Sequence, residues 1–154
     1  MKHWLLKTEP SSFGIADLQA AAHKTTSWEG VRNYQARNLI RDQIQKGDHA
    51  FLYHSSCEQP GIAGTVRVVR AAYADKSALD KANPHYDAGS TEADPRWYTF
   101  DVKLVRRFKR VIGLDELRAH STDALAGMIL LRSGNRLSIT PVDDAHWRFI
   151  LALE

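Results

Sequence analysis

The residues best suited to hold a flat ligand lie in one stretch, Trp28-Glu29-Gly30-Val31-Arg32-Asn33-Tyr34-Gln35-Ala36-Arg37-Asn38. Around a helix start it gathers a Trp, a Tyr, two Arg, two Asn and a Gln. Aromatic rings stack on bases through their π-faces, while Asn, Gln and Arg read base edges or hold phosphates. The same composition also describes a core Trp and Tyr beside a polar helix surface, and spacing does not separate the two. A second indole, Trp97, follows a long polar segment in Pro95-Arg96-Trp97. Two Trp residues at opposite loop edges could flank one planar ligand, or each could cap the core. Glu9, Tyr53 and Ser55 fall at predicted strand ends, where alternate side chains can face a cavity. Arg106, Arg107, Lys109 and Arg110 form a basic cluster, and Arg37, Arg41, Arg67 and Arg70 add others. Such clusters are either a phosphate-contacting surface or a solvated face.

Catalytic chemistry has little support. The chain has no Gly-rich phosphate loop, GxSxG elbow, HExxH or paired CxxC. His54-Ser55-Ser56-Cys57 puts a base near a thiol, but catalytic Cys and His usually meet through the fold and not through the sequence. The seven histidines do not repeat at metal-ligand spacing. No catalytic residue, metal or cofactor is expected.

The elements that must position these residues read as a mixed α/β pattern. Trp4-Leu5-Leu6 is a short strand closed by Glu9-Pro10-Ser11-Ser12. A helix follows from Ile15 to Ala22, with Gly14 as N-cap and Asp17 in its first turn. Asn33 to Ile44 is a second helix. His49–His54 and Gly61–Ala72 are strands, the latter alternating Ile62, Gly64, Val66 and Val68 against Ala63, Thr65 and Arg67. Residues 73–95 are polar and carry Pro84, Gly89 and Pro95, which suits either disorder or a functional loop. A strand resumes from Trp97 to Phe108. Leu114–Leu117 and Ala124–Leu131 read as short helices, and Arg136–Ile139 as the last strand. Thr140-Pro141-Val142-Asp143 then reads as a helix start, carrying Trp147, Ile150 and Leu151 inward. Strands interrupted by helices without regular βαβ alternation predict a curved mixed sheet or small β-barrel with peripheral helices.

Composition sets the outer limits. The chain has 154 residues, 44% hydrophobic and 25% charged, within the range of one globular domain spanning 1–154. No apolar run reaches the roughly 20 residues of a membrane span, and no membrane partner is expected. The single cysteine, Cys57, excludes an internal disulfide and suits cytoplasm or nucleus. A net charge of +3 permits an anionic partner without demanding one. Oligomeric state leaves no trace in the sequence.

Taken in order, several motifs resemble the EVE family. They are Lys7-Thr8-Glu9-Pro10, the Trp28–Asn38 stretch, Phe51–Cys57 with Pro60–Gly64, and Asp94–Trp97 leading into Asp101-Val102. Leu130-Leu131-Arg132 and Arg136–Val142 complete the series. The resemblance implies a PUA-like α+β fold related to the YTH readers of methylated adenine. Some members of the family are associated with modified cytosines in DNA. By analogy with YTH, a flipped base enters an aromatic cage formed by Trp28 and Trp97. The resemblance places Glu9 on the base edge, Lys7 beside it and Ser55 at the strand end below, and Thr8, Asn33, Tyr34 and Tyr53 are the other expected pocket residues. Arg32, Arg37, Arg106, Arg107 and Lys109 are then the expected phosphate contacts.

Glu9 can accept from an exocyclic amine, which cytosine and adenine carry and thymine lacks. The sequence departs from the family pattern at Val111, where many relatives have Pro, and at Ser56, where many have Asn. The implied function is capture of a modified base of DNA or RNA, with nucleic acid as partner. Two other readings stand beside it: an enzyme using Glu9, His54 or Cys57, and a pocket for a free nucleoside-like metabolite.

Overall fold

Trp4, Leu5 and Leu6 are completely enclosed, so the strand they form, β1 (His3–Thr8), lies inside the molecule with apolar layers on both faces. The computed structural model describes residues 1–154. β1 pairs in parallel with β3 (His49–His54) and antiparallel with β6 (Ile139–Val142). Beyond β3 lie the antiparallel β4 (Gly61–Ala74) and β5 (Tyr98–Gly113), and β5 carries the short β2 (Thr25–Ser27) at the edge. The strand order β2-β5-β4-β3-β1-β6 is an open, mixed six-stranded sheet. Register shifts along β4 and β5 mark bulges, which bend a strand and increase its twist. Gly64 fits one of these close approaches, because a Cβ there would run into the Arg106 carbonyl oxygen.

Strand alternation produces two cores. Trp4, Leu6, Ala50 and Leu52 point to one face, where they meet Ile15, Leu18, Trp28, Ala36, Ile40 and Phe100. Leu5, Phe51 and Tyr53 point to the other, with Ile112, Leu117, Met128, Trp147 and Ile150. The first face is covered by α1 (Pro10–Phe13), α2 (Ile15–Ala20) and α3 (Tyr34–Asp42). The second is covered by α4 (Leu114–Arg118) and α5 (Asp144–Leu153). Trp147 stacks on Phe51 with ring centroids 4.0 Å apart.

Local signals explain most boundaries. Asp17 accepts the Gly14 N–H at 2.7 Å and starts α2. Asn33 caps α3 by accepting the Ala36 N–H at 3.0 Å.

Three expectations are corrected and one strand is added. The helix anticipated at Ala124–Leu131 is a series of turns followed by a 3₁₀ turn at Ile129–Leu131. Gly127, at φ +81°, breaks the helical path while Leu125 and Met128 still reach the core. Thr140 and Pro141 do not start a helix; they pair with Leu5 and Trp4 in β6, and α5 begins one turn later, with Asp143 at its N-cap position. Proline is tolerated there because β6 is an edge strand and its missing N–H costs no ladder bond. The anticipated strand at Arg136–Ile139 is accordingly displaced to Ile139–Val142. The edge strand β2 is an addition, since Thr25-Thr26-Ser27 is too short to show alternation.

Candidate nucleic-acid interface

β1 and β3 run parallel and end together at Thr8 and His54, and ligand crevices in open sheets commonly form outside such carboxyl ends. On the first-core side of this edge lies a cleft of about 400 Å³. β1 contributes Thr8, α1 contributes Ser12 and Phe13, and β2 contributes Thr26 and Ser27. Trp28 and Glu29 follow directly from β2, and His85 closes the cleft from the long loop. Trp28 has 9% of its surface exposed, packs on Phe100 and presents what remains to the cleft. The result is an aromatic surface rimmed by hydroxyls, a carboxylate and an imidazole. It can stack a ring and pair with polar groups on that ring's edge.

The long loop is fastened by two carboxylates. Asp75, fully buried, accepts from the Gly30 N–H at 2.9 Å, from Arg32 Nη1 at 3.1 Å, and from the Ser77 N–H and hydroxyl at 3.0 and 2.5 Å. Burial pushes the Asp75 carboxyl up, but the hydrogen bonds from Ser77, Gly30 and Arg32 outweigh it and hold the pKa below the usual range. Arg32 in turn donates from Nε and Nη2 to the His85 carbonyl, at 3.1 and 2.6 Å. Gly30, at φ +85°, leaves room for the imidazole, since a Cβ would lie 2.7 Å from His85 Cε1. Further along the loop, Asp87 accepts from Trp97 Nε1 at 2.6 Å. That bond, with the Gly89 N–H, lowers the Asp87 pKa.

These contacts redistribute the expected site residues. Thr8 and Trp28 meet in the cleft, and the Thr8 hydroxyl donates to the Phe13 carbonyl at 2.7 Å. Trp97 does not face Trp28 across the cleft. It is 5% exposed, stacked under Tyr34 at 4.9 Å, with the Arg32 guanidinium 5.4 Å from its ring. Tyr34 stays 53% exposed on top of that stack, and Arg37 lies 4.8 Å over its ring. Asn33 is spent on capping α3.

Glu9 is exposed at the start of α1, outside the cleft lining. Ser55 ties the two strand ends together through its N–H, which donates to the Thr8 carbonyl at 2.9 Å. Lys7 and Tyr53 point to the opposite face, because they alternate with Thr8 and His54.

The expected phosphate contacts are similarly divided. Arg32 is consumed by the loop, and Arg37 donates to the Arg96 carbonyl at 3.0 Å. Arg106 and Arg107 point to opposite faces of β5, the first paired with Glu154 and the second donating to Gln19 at 2.7 Å. Lys109 is exposed. His54, the suggested base for Cys57, accepts the Ile15 N–H on Nε2 at 3.1 Å. Burial and nearby Arg107 lower its pKa, consistent with a neutral ring that positions α2.

Sequence reasoning missed Ser12, Phe13, Thr26, Ser27 and His85 as cleft residues. The hydroxyl run preceding Trp28 was the available signal for Thr26 and Ser27. His85 reaches the cleft only through the fold.

The sequence model of the EVE domain matches residues 2–153. Thymocyte nuclear protein 1 of Gallus gallus is 46% identical over 99% of this chain and 68% of its own length. The Homo sapiens protein of that name is 43% identical over 99% of this chain and 73% of its own length. Among solved structures, human THYN1 in complex with 5-methylcytosine-containing DNA superposes with a TM-score of 0.93 at 42% identity, covering 99% of this chain and 97% of that one. A Pseudomonas syringae protein superposes at 0.91 with 44% identity, covering 98% of each chain. With the family match running from Lys2 to Leu153 over the whole of this sheet, the chain belongs to the EVE domain family.

Proposed function

We propose that this protein binds nucleic acid by taking one extruded, modified base, with 5-methylcytosine the first candidate, into the cleft between α1, Trp28 and His85. The observation that carries this reading is the likeness, over 99% of the chain, to human THYN1, whose crystal structure is a complex with 5-methylcytosine-containing DNA. The cleft supports it chemically. At about 400 Å³ it falls within the range of small-ligand sites, about 300–1,000 Å³. Trp28 supplies a stacking face, and stacking contributes about 1–3 kcal/mol per base. Thr8, Ser12, Ser27 and Glu29 offer hydroxyl and carboxylate partners to a base edge, with Glu29 in the accepting role first expected of Glu9. Extrusion from a duplex costs a few kcal/mol, so the site favours bases already unpaired or easily flipped.

Capture without turnover is the reading favoured by His54, whose Nε2 is committed to the Ile15 amide.

The test is Trp28→Leu, which keeps apolar contact with the core and removes the indole face. Binding of a 5-methylcytosine oligonucleotide is expected to fall at least about fivefold, since one lost stack is worth about 1–3 kcal/mol. A melting curve checks that the variant is folded. A folded Trp28→Leu protein with wild-type affinity would rule out the cleft as the base site.

A further inference from the structure

The face of β1 opposite the base cleft holds a second cavity of about 450 Å³, into which Lys7, Arg118 and Arg132 all project. Tyr53 and Leu130 form part of its apolar wall, and no carboxylate lines it. Its cations differ from six of the arginines near the sheet. Arg32, Arg37, Arg96, Arg106, Arg107 and Arg110 each donate to an acceptor within the protein. Lys7, Arg118 and Arg132 make no such hydrogen bond or ion pair. Glu58 and Asp115 border Arg118 on the side of a neighbouring cavity, but neither pairs with it. Burial lowers the Lys7 pKa, a cost that a bound anion would offset. Three like charges in one concave, partly apolar site repel one another unless an external anion neutralises them.

We propose that this cavity takes a backbone phosphodiester of the same nucleic-acid strand whose base enters the cleft. The inference rests on the base-capture reading and adds the strand's path to it. Lys7 and Thr8 are consecutive on β1 and therefore face opposite sides of the sheet. A base at Thr8 and a phosphate at Lys7 thus straddle the strand end. Arg118 from α4 and Arg132 after the Ile129–Leu131 turn clamp the phosphate from the far side. The arrangement moves the phosphate contact away from the β5 cluster, where Arg106, Arg107 and Arg110 are engaged internally.

The experiment measures affinity for methylated and unmethylated single-stranded oligonucleotides across a salt series. Wild type is compared with the Arg118→Gln/Arg132→Gln double variant. Both arginines are exposed, so the variant is expected to fold. Arg41→Gln, on α3 and away from the cavity, is the single-charge surface control. The double variant should weaken binding to both oligonucleotides by the same factor, leaving the methylated-to-unmethylated ratio unchanged. Its slope of log K against log salt should become shallower by about 0.7 for each cation removed. Arg41→Gln should keep the wild-type slope.

A wild-type slope in the double variant overturns the proposal. So does loss of inorganic-phosphate binding in that variant with the oligonucleotide slope unchanged, since the cavity would then hold a free anion. Absence of any methylated-base preference in the wild type would count against base capture itself and leave the slope comparison readable.

Discussion

Trp28 serves two roles that a single substitution must separate. Its ring is mostly buried against Phe100 in the first core, and only its remaining surface meets the cleft. Truncation to Ala would cost about 3–5 kcal/mol in packing alone, which is why Trp28→Leu is the cleaner probe. Asp75 is the most committed polar residue. Removing its carboxylate strands the Gly30 and Ser77 amides and the Arg32 guanidinium. Asp75→Ala is expected to destabilise the protein by about 3–5 kcal/mol, the scale of breaking a buried ion pair, read as a lower urea midpoint. His54 adds a pH dependence. Its folded pKa lies below the unfolded value of about 6.5, so its contribution is present above that value and lost as pH falls through the folded pKa. Chemical denaturation from pH 7.5 to 5 should show this loss, and His54→Gln, which keeps an acceptor for Ile15, should flatten it. An identical decline in His54→Gln would assign the acid sensitivity elsewhere.

Elements rich in periodic apolar residues were readable before the structure, and those defined by tertiary pairing were not. α2, α3, β3 and β4 announce themselves through caps and alternation. β2 has three residues and exists only because β5 offers it an edge. Thr140-Pro141 carries the composition of a helix start, yet pairing with β1 outweighs that local preference. Of the site, Trp28 and Thr8 could be found from their motifs. The apparent cage partner, Trp97, could not be separated from a core indole until its N–H was seen bound to Asp87. The loop from Asp75 to Trp97 is the element on which the cleft depends, because it delivers His85 against Gly30. Gly30→Ala would force a side chain at φ +85° and push the imidazole away. The expected outcome is a stability loss of about 1–3 kcal/mol, faster proteolytic cutting within 76–96, and weaker base binding. Unchanged cutting and affinity would show that His85 does not depend on this contact.

At the scale of the whole molecule, a net charge of +3, with seven of thirteen arginines donating to internal acceptors, leaves little broad electrostatic attraction for nucleic acid. Selectivity must come from a pocket, and the molecule places one on each side of the β1 end. No helix is long and apolar enough to cross a membrane. The sheet class and its flanking helices were apparent from the alternation of strands and helices. The division into two cores was visible only as consecutive apolar residues in Trp4-Leu5-Leu6, which become two faces once neighbours flank them. A buried methyl group contributes about 0.8 kcal/mol, close to fourfold in affinity. The most direct measurement is therefore the affinity of the wild-type protein for two single-stranded oligonucleotides differing only by one cytosine 5-methyl group, at one fixed salt concentration. The account predicts tighter binding to the methylated strand by about fourfold or more, and equal affinities would contradict it.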